Sequence, residues 1–256
     1  MQELKDLFKH KIEKIGERVC EHCGSDVPIY KQQDREISVC LECDNKRVKK
    51  RVEKFRKERK YTSIMRLVEK YESPPYEETV SFDDYVPKTE TQKQAKETAM
   101  NFETLDSTTL FLQGKPGIGK SHLAFCVAEN WKEQGKTSLF IDVPTLLQTI
   151  RNSYNHGSIY SEEELFRLID DVDLFVLDEI GAEYVKSDGS ESWVTDILIR
   201  IFNSRRNKRN IYTTNYQSKM LKQKYGVYSS RLISRMMENA KVIVMDGPDH
   251  RLKGMS

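Results

Sequence analysis

The 256-residue sequence predicts an α/β protein: a five-stranded parallel sheet flanked by helices, preceded by a small module that is part ribbon and part helix. Three observations carry that prediction. From about residue 109 onward, short apolar runs alternate with longer stretches of helical period, the pattern of βαβ units. A glycine-rich stretch from Gly114 to Ser121 stands between one such run and one such helix. Four of the five cysteines fall in two CxxC pairs within the first 43 residues, ahead of that alternation.

Composition sets the outer bounds. Charged residues make up 32% and hydrophobic residues 38%, with 10 Phe, 12 Tyr and 2 Trp, which is enough for a packed core and excludes a wholly disordered chain. No apolar run approaches the roughly 20 residues that span a bilayer. Lys5, Lys9 and Lys11 fall where a secretory signal would need an apolar stretch. The expectation is a cytoplasmic protein with no membrane partner. Lys and Arg number 42 against 40 Asp and Glu, a net charge of +2, so any nucleic-acid contact must come from local asymmetry. Such asymmetry lies between Lys46 and Lys60, where ten basic residues face only Glu53 and Glu58.

Along the chain, Leu4, Leu7, Phe8, Ile12, Ile15 and Val19 recur at steps of three and four and predict an amphipathic helix over 4–19. Cys20 and Cys23 are then separated from Cys40 and Cys43 by 16 residues, within which Val27–Tyr30 and Ile37–Val39 can pair as short strands. In a cytosolic chain this spacing predicts Zn²⁺ held by four thiolates, with Gly24 easing the first knuckle. Four sulfurs leave no position open for water, so the site is structural. Metal binding would supply most of the folding free energy of so small a module, about 10–16 kcal/mol in zinc-finger peptides. His22 is a competing ligand by type, and Cys126 is assigned to core packing. Val48, Val52 and Phe55, then Ile64, Leu67 and Val68, continue a thin apolar stripe through a helix that Ser73-Pro74-Pro75 must stop. The expected organisation is a zinc-binding module with a basic helix over 1–72, a linker over 73–87 and the α/β domain over 88–256.

In that domain the expected strands are Thr109–Leu112, Ser138–Ile141, Leu174–Leu177, Asn210–Thr213 and Val242–Met245. The expected helices run from about Lys120 to Gln134, Thr145 to Tyr154, Glu162 to Ile169, Ser192 to Arg206 and Ser229 to Asn239.

The glycine-rich stretch, Gly114-Lys115-Pro116-Gly117-Ile118-Gly119-Lys120-Ser121, fits GxxxxGK[ST] in the strand-to-helix setting a phosphate loop needs. Its glycines let backbone N–H groups and the following helix N-terminus face a β-phosphate, and Lys120 can reach the β and γ oxygens. Ser121 supplies a hydroxyl for the Mg²⁺ that accompanies ATP or ADP. These eight residues, with His122 after them, are the candidate nucleotide contacts. Leu174-Phe-Val-Leu-Asp178-Glu179 is an apolar strand ending in two carboxylates, the Walker B pattern. Asp178 would hold Mg²⁺, directly or through water, and Glu179 would polarise the attacking water. Thr213-Thr214-Asn215 ends the next strand with an amide that can sit near the γ-phosphate. Arg231 and Arg235, four apart, share a helix face. Chemistry alone leaves them open as a neighbour-directed guanidinium, worth about 10³–10⁵ in rate where an arginine finger operates, or as an ordinary surface salt-bridging pair.

Taken together, GKPGIGKSHLA, LDEIGAE, TTN, the arginine pair and Gly247-Pro-Asp-His-Arg251 resemble the AAA+ ATPase domain of bacterial and phage replicative helicase loaders, the DnaC/DnaI family of the DnaC/IstB clade. The resemblance covers about 80–256, and Ser81-Phe82-Asp-Asp-Tyr85 with Gln92 and Ala95 is similar to the segment that packs near the adenine in that family. It implies that Arg235 is the arginine finger, Asn215 sensor 1 and Arg251 sensor 2, with Arg231 assisting nucleotide sensing or DNA contact. It also implies self-association through the ATP sites, a hexameric replicative helicase as partner, and single-stranded DNA bound near residues 144–170, including Arg151, Asn152, Tyr154, Asn155 and His156. The front module would grip the helicase, and its basic segment makes DNA the rival partner.

The implied function is an ATP-dependent loader that delivers the helicase onto single-stranded DNA. The alternative within the clade is a transposition helper ATPase that binds duplex DNA and a transposase. A protein that held nucleotide without hydrolysing it would have no use for Asp178, Glu179, Asn215 and Arg235 together.

Overall fold

The computed structural model describes residues 12–32, 34–77, 80–184 and 193–250. The chain divides into two compact units between Lys60 and Tyr61.

The first unit holds a three-stranded antiparallel sheet of β1 (Glu13–Val19), β2 (Asp26–Gln32) and β3 (Arg35–Ile37), in the order β1-β2-β3. Residues 4–11 of the expected first helix lie outside the described residues, and 13–19 form a strand where a helix was expected. The cause is the cysteine knuckle. Cys20 N–H donates to Ser25 O at 2.8 Å, reversing the chain so that Val19 and Arg18 pair with Asp26 and Val27. The ladder overrides the helical spacing, and of the expected apolar face the described residues Ile12, Ile15 and Val19 are exposed. Among the described residues, the buried apolar ones of this unit are Cys20, Val27 and Cys40. The long helix α1 (Leu41–Tyr71) then begins, with Val48, Val52 and Phe55 exposed.

The end of α1 belongs to the second unit, because Ile64, Val68 and Tyr71 are buried in its core. The compact units thus divide at 60–61, inside α1, whereas the expected front module ran over 1–72. The stretch expected as a linker is also tied to the second unit. Ser73 N–H donates to Phe140 O at 2.9 Å and its hydroxyl to Asp142 Oδ2 at 2.6 Å. Ser81 caps a short 3₁₀ turn at Phe82–Asp84, and the buried Tyr85 donates its hydroxyl to Ile118 O at 2.9 Å.

The second unit is a five-stranded parallel sheet of β4 (Thr109–Gly114), β5 (Ser138–Asp142), β6 (Leu174–Asp178), β7 (Arg209–Thr214) and β8 (Ala240–Met245), in the order β5-β6-β7-β4-β8. All five expected strands are there. Side chains alternate between two cores, one on each face. Phe111, Phe175 and Leu177 face one core, while Leu110, Leu112, Leu174 and Val176 face the other. The first face is covered by the end of α1, α4 (Val143–Ser153), α5 (Glu162–Asp171), α6 (Trp193–Ser204), α7 (Ser218–Tyr225) and α8 (Ser229–Met236). The second is covered by α2 (Glu90–Met100) and α3 (Lys120–Glu133).

Helices α2 and α7 were not expected. Their signals are short: Thr89 accepts the Gln92 N–H as an N-cap with Ala95 and Ala99 buried four apart, and Leu221 and Tyr225 do the same in α7. No described helix is long and apolar enough to cross a membrane.

Candidate nucleotide site and cysteine cluster

Strand β4 lies between β7 and β8, so its carboxyl end opens at the centre of the sheet edge, where parallel sheets bind ligands. The loop that follows depends on two left-handed glycines. Gly119, φ 95°, begins α3, and a Cβ there would stand 2.1 Å from the Tyr85 ring. Gly117, φ 74°, lies against the Asp249 carboxylate, 1.8 Å from where its Cβ would be. Ile118 is buried between them and anchors the loop from below. The result is a curled backbone leading into a helix N-terminus, an arrangement suited to anions.

Around the loop the expected side chains converge. Lys120 is 5% exposed and donates to Lys115 O at 2.8 Å and Asn215 Oδ1 at 2.7 Å. Ser121 donates to Asp178 Oδ1 at 3.0 Å, and the Thr213 hydroxyl donates to the same oxygen. Burial pushes the Asp178 carboxyl up, against the opposing pull of the Thr213 and Ser121 hydroxyls. Glu179 adopts φ 59°, a left-handed conformation that costs a side chain of its kind of order 1–3 kcal/mol and concentrates at functional positions. Its N–H donates to Thr213 Oγ1 at 3.0 Å, so Thr213 spans both carboxylate residues. Thr213 stood in the quoted TTN run, but no role was read for it, since a strand threonine carries no signal of which group it will meet.

Lys120, Ser121, Glu179 and Asn215 line a cavity of about 220 Å³, together with Pro116, Gly117, Gly119, His122, Tyr85 and His250. The His122 ring lies 5.6 Å from that of Tyr85. Gly114 ends β4, and Lys115 is exposed at the loop tip.

Arg235 is not part of this convergence. It lines a separate recess with Thr108, Asn210 and Asn239, at the amino ends of the strands, and donates to Glu238 Oε2 at 3.4 Å. A strand of six residues separates the two ends by about 17–20 Å, so Arg235 does not serve the cavity of its own chain. Arg231 is exposed, and Arg251 lies outside the described residues. Among the expected DNA contacts, Arg151 stacks over Trp193 at 5.0 Å and the Tyr154 hydroxyl donates to Glu162 at 2.6 Å. Asn152 accepts from Gln148, while Asn155 and His156 are exposed.

In the first unit the sulfurs of Cys20, Cys23, Cys40 and Cys43 all lie within 4.8 Å of one another. The Cys20–Cys43 and Cys23–Cys40 separations are 3.7 and 3.4 Å. Zn–S bonds of about 2.3 Å in a tetrahedron require sulfur edges of about 3.8 Å, so the donor set fits Zn²⁺. His22 is not one of the four. Cys126 is buried, its thiol pushed up to about 12 by burial, in keeping with core packing.

Residues 24–256 match the family described as IstB-like ATP binding protein. The chain is 29% identical over 160 residues to the replicative helicase loader DnaC of Buchnera aphidicola subsp. Baizongia pistaciae (strain Bp), covering 61% of this chain and 62% of that one. It is 26% identical over 181 residues to the replicative helicase loader DnaC of Escherichia coli (strain K12), covering 69% and 71%. The chain thus spans somewhat less than two thirds of the length of the Buchnera relative. The crystal structure of DnaI superposes with a TM-score of 0.55 over 67% of this chain and 90% of that chain, at 23% identity. The shared fold is the AAA+ P-loop arrangement.

Proposed function

We propose that this chain, which belongs to the family of IstB-like ATP binding proteins and is an ATPase of the AAA+ type, loads a replicative DNA helicase onto single-stranded DNA in the cytoplasm. The observation that supports an ATP-driven role is the convergence of Lys120, Ser121, Asp178, Glu179 and Asn215 at the carboxyl ends of β4, β6 and β7. Relatives named replicative helicase loaders supply the cargo.

In this reading the loop from Gly114 to Gly119, the first N–H groups of α3 and Lys120 hold the phosphates, with His122 beside them. Ser121 and Asp178 would hold Mg²⁺, which would supply neutralisation of the phosphate charge. Glu179 accepts a hydrogen bond from the attacking water and aligns its oxygen with the γ-phosphorus. The bond from that phosphorus to the β–γ bridging oxygen breaks, giving ADP and phosphate. Asn215 contacts the γ-phosphate and registers its loss. Arg235 stabilises the developing charge on an adjacent copy, so ATP joins subunits and hydrolysis frees them. Cys20, Cys23, Cys40 and Cys43 hold a structural Zn²⁺, and the module they organise grips the helicase.

The test loads the host's hexameric helicase onto circular single-stranded DNA with this protein and ATP, and counts helicase retained on the DNA. ATP-dependent gain supports the reading. A second reading within the same family of IstB-like ATP binding proteins is a transposition helper that binds duplex DNA and a transposase. Preference for duplex DNA, with no association with the helicase, would replace the loader by that alternative.

A further inference from the structure

Glu183 lies five residues beyond Asp178 and is 4% exposed. A buried carboxylate is costly unless its oxygens are met, and both of these are. Oε2 accepts the Gly181 N–H at 2.9 Å, and Oε1 accepts the Tyr225 hydroxyl at 2.5 Å. The carbonyl of Glu183 accepts the Lys224 ammonium as well. One side of the carboxylate therefore holds the turn that follows β6, and the other holds the end of α7.

That turn begins at Glu179. Its left-handed backbone is closed by Ala182 N–H donating to Glu179 O at 2.9 Å. Gly181 is also left-handed, φ 97°, and the Tyr216 ring is 2.6 Å from where its Cβ would stand. Thr213 fixes the turn from the β7 side, through its carbonyl to Ile180 N–H and its hydroxyl to Glu179 N–H. Opposite Thr213, the Gly181 N–H is tied down by Glu183.

We propose that Glu183 is a positioning residue for ATP hydrolysis, anchored by Tyr225: by gripping Gly181 it keeps the 179–182 turn in the one conformation that presents the Glu179 carboxylate to the γ-phosphate. The inference rests on the role proposed for Glu179. Because Tyr225 leads through a short turn into α8, which carries Arg231 and Arg235, the brace also ties the carboxylate that polarises water to the helix offered to a neighbouring copy.

The test uses the full chain with Tyr225→Phe, Glu183→Gln and each of these combined with Glu179→Gln. Tyr225→Phe removes one hydroxyl, and Glu183→Gln keeps the side chain's shape. Each single variant is expected to lower kcat for ATP by about 10–100-fold, the loss typical of a misplaced group, with the KM for ATP and the affinity for ADP within about twofold of wild type. In the Glu179→Gln background neither is expected to lower the rate further. Equal proportional losses in both backgrounds, a change in KM alone, or a Tyr225→Phe variant with wild-type kcat would overturn the proposal. A wild-type rate in Glu179→Gln itself would instead remove Glu179 from hydrolysis, and the proposal with it. Should Glu183→Gln fail to fold, Tyr225→Phe decides.

Discussion

Lys120 and Asn215 are hydrogen-bonded to each other, Nζ to Oδ1 at 2.7 Å, joining the first residue of α3 to the residue just after β7. The ammonium thus has an amide oxygen as acceptor at the mouth of the sheet, where a γ-phosphate oxygen would compete for it. Exchange of one acceptor for the other would transmit the presence of the phosphate to β7. Lys120→Ala is expected to abolish ATP binding, because Lys120 is the ammonium held inside the cavity, whereas Lys115, the other lysine of the loop, is exposed at its tip. Asn215→Ala should retain binding and slow hydrolysis by about 10-fold or more, as loss of one preorganised polar contact does. Titration with a fluorescent ATP analogue and a phosphate-release assay separate the two. Undiminished affinity in Lys120→Ala would contradict the phosphate-loop assignment.

Thr213 is the hub between the two acidic residues, its hydroxyl donating to Asp178 and accepting from the Glu179 N–H. Thr213→Val keeps the volume and leaves both partners short of a bond inside the core. The expected loss of stability is about 1–3 kcal/mol, the cost of a buried polar group left unmet, together with a fall in kcat. Thermal denaturation and steady-state kinetics read the two effects. A stable variant with normal turnover would show that the hydroxyl is replaceable, by water for example.

The course of the sheet was legible because β4, β5 and β6 carry continuous apolar runs, over 110–112, 139–141 and 174–177, as strands buried on both faces do. The phosphate loop was legible because its chemistry demands glycine at fixed spacing. The N-terminal strand was not, since Ile12, Ile15 and Val19 carry a helical spacing and only the distant pairing with β2 decides the conformation. The division of the compact units inside α1 was not legible for a related reason. Ile64, Val68 and Tyr71 lie in the same unbroken helix as the basic segment, and nothing in the local sequence tells which core receives them. Glu183 was visible in LDEIGAE only as one more acidic residue. Its burial depends on Tyr225, 42 positions away.

The Zn²⁺ proposed for the first unit would stabilise it to an extent set by its core. Its buried apolar residues, among those described, are Cys20, Val27 and Cys40, two of them ligand candidates. So small a buried surface cannot offset the chain entropy of three strands. A strong chelator is expected to release one Zn²⁺ per chain and expose residues 12–60 to proteolysis, while the second unit, with its own two cores, stays resistant and still binds ATP. Metal analysis and limited digestion of the full chain check this. Protection unchanged after complete metal removal would mean the four sulfurs do not hold the fold.

Arg235 and the phosphate loop lie at opposite ends of the same strands, which sharpens a test of assembly. Within one chain, Arg235→Ala leaves the cavity untouched, so ATP affinity should hold while hydrolysis falls. Lys120→Ala leaves the arginine face untouched but removes nucleotide. If the guanidinium acts across an interface, a mixture of the two variants contains sites with an intact cavity from the Arg235→Ala chain and an intact arginine from the Lys120→Ala chain. Such a mixture should recover part of the activity that neither variant has alone, and more so at higher protein concentration, since the productive site forms only on association. ATPase rates measured across mixing ratios should peak at intermediate composition. A flat, additive response would assign Arg235 to its salt bridge with Glu238 and require another group to complete the site.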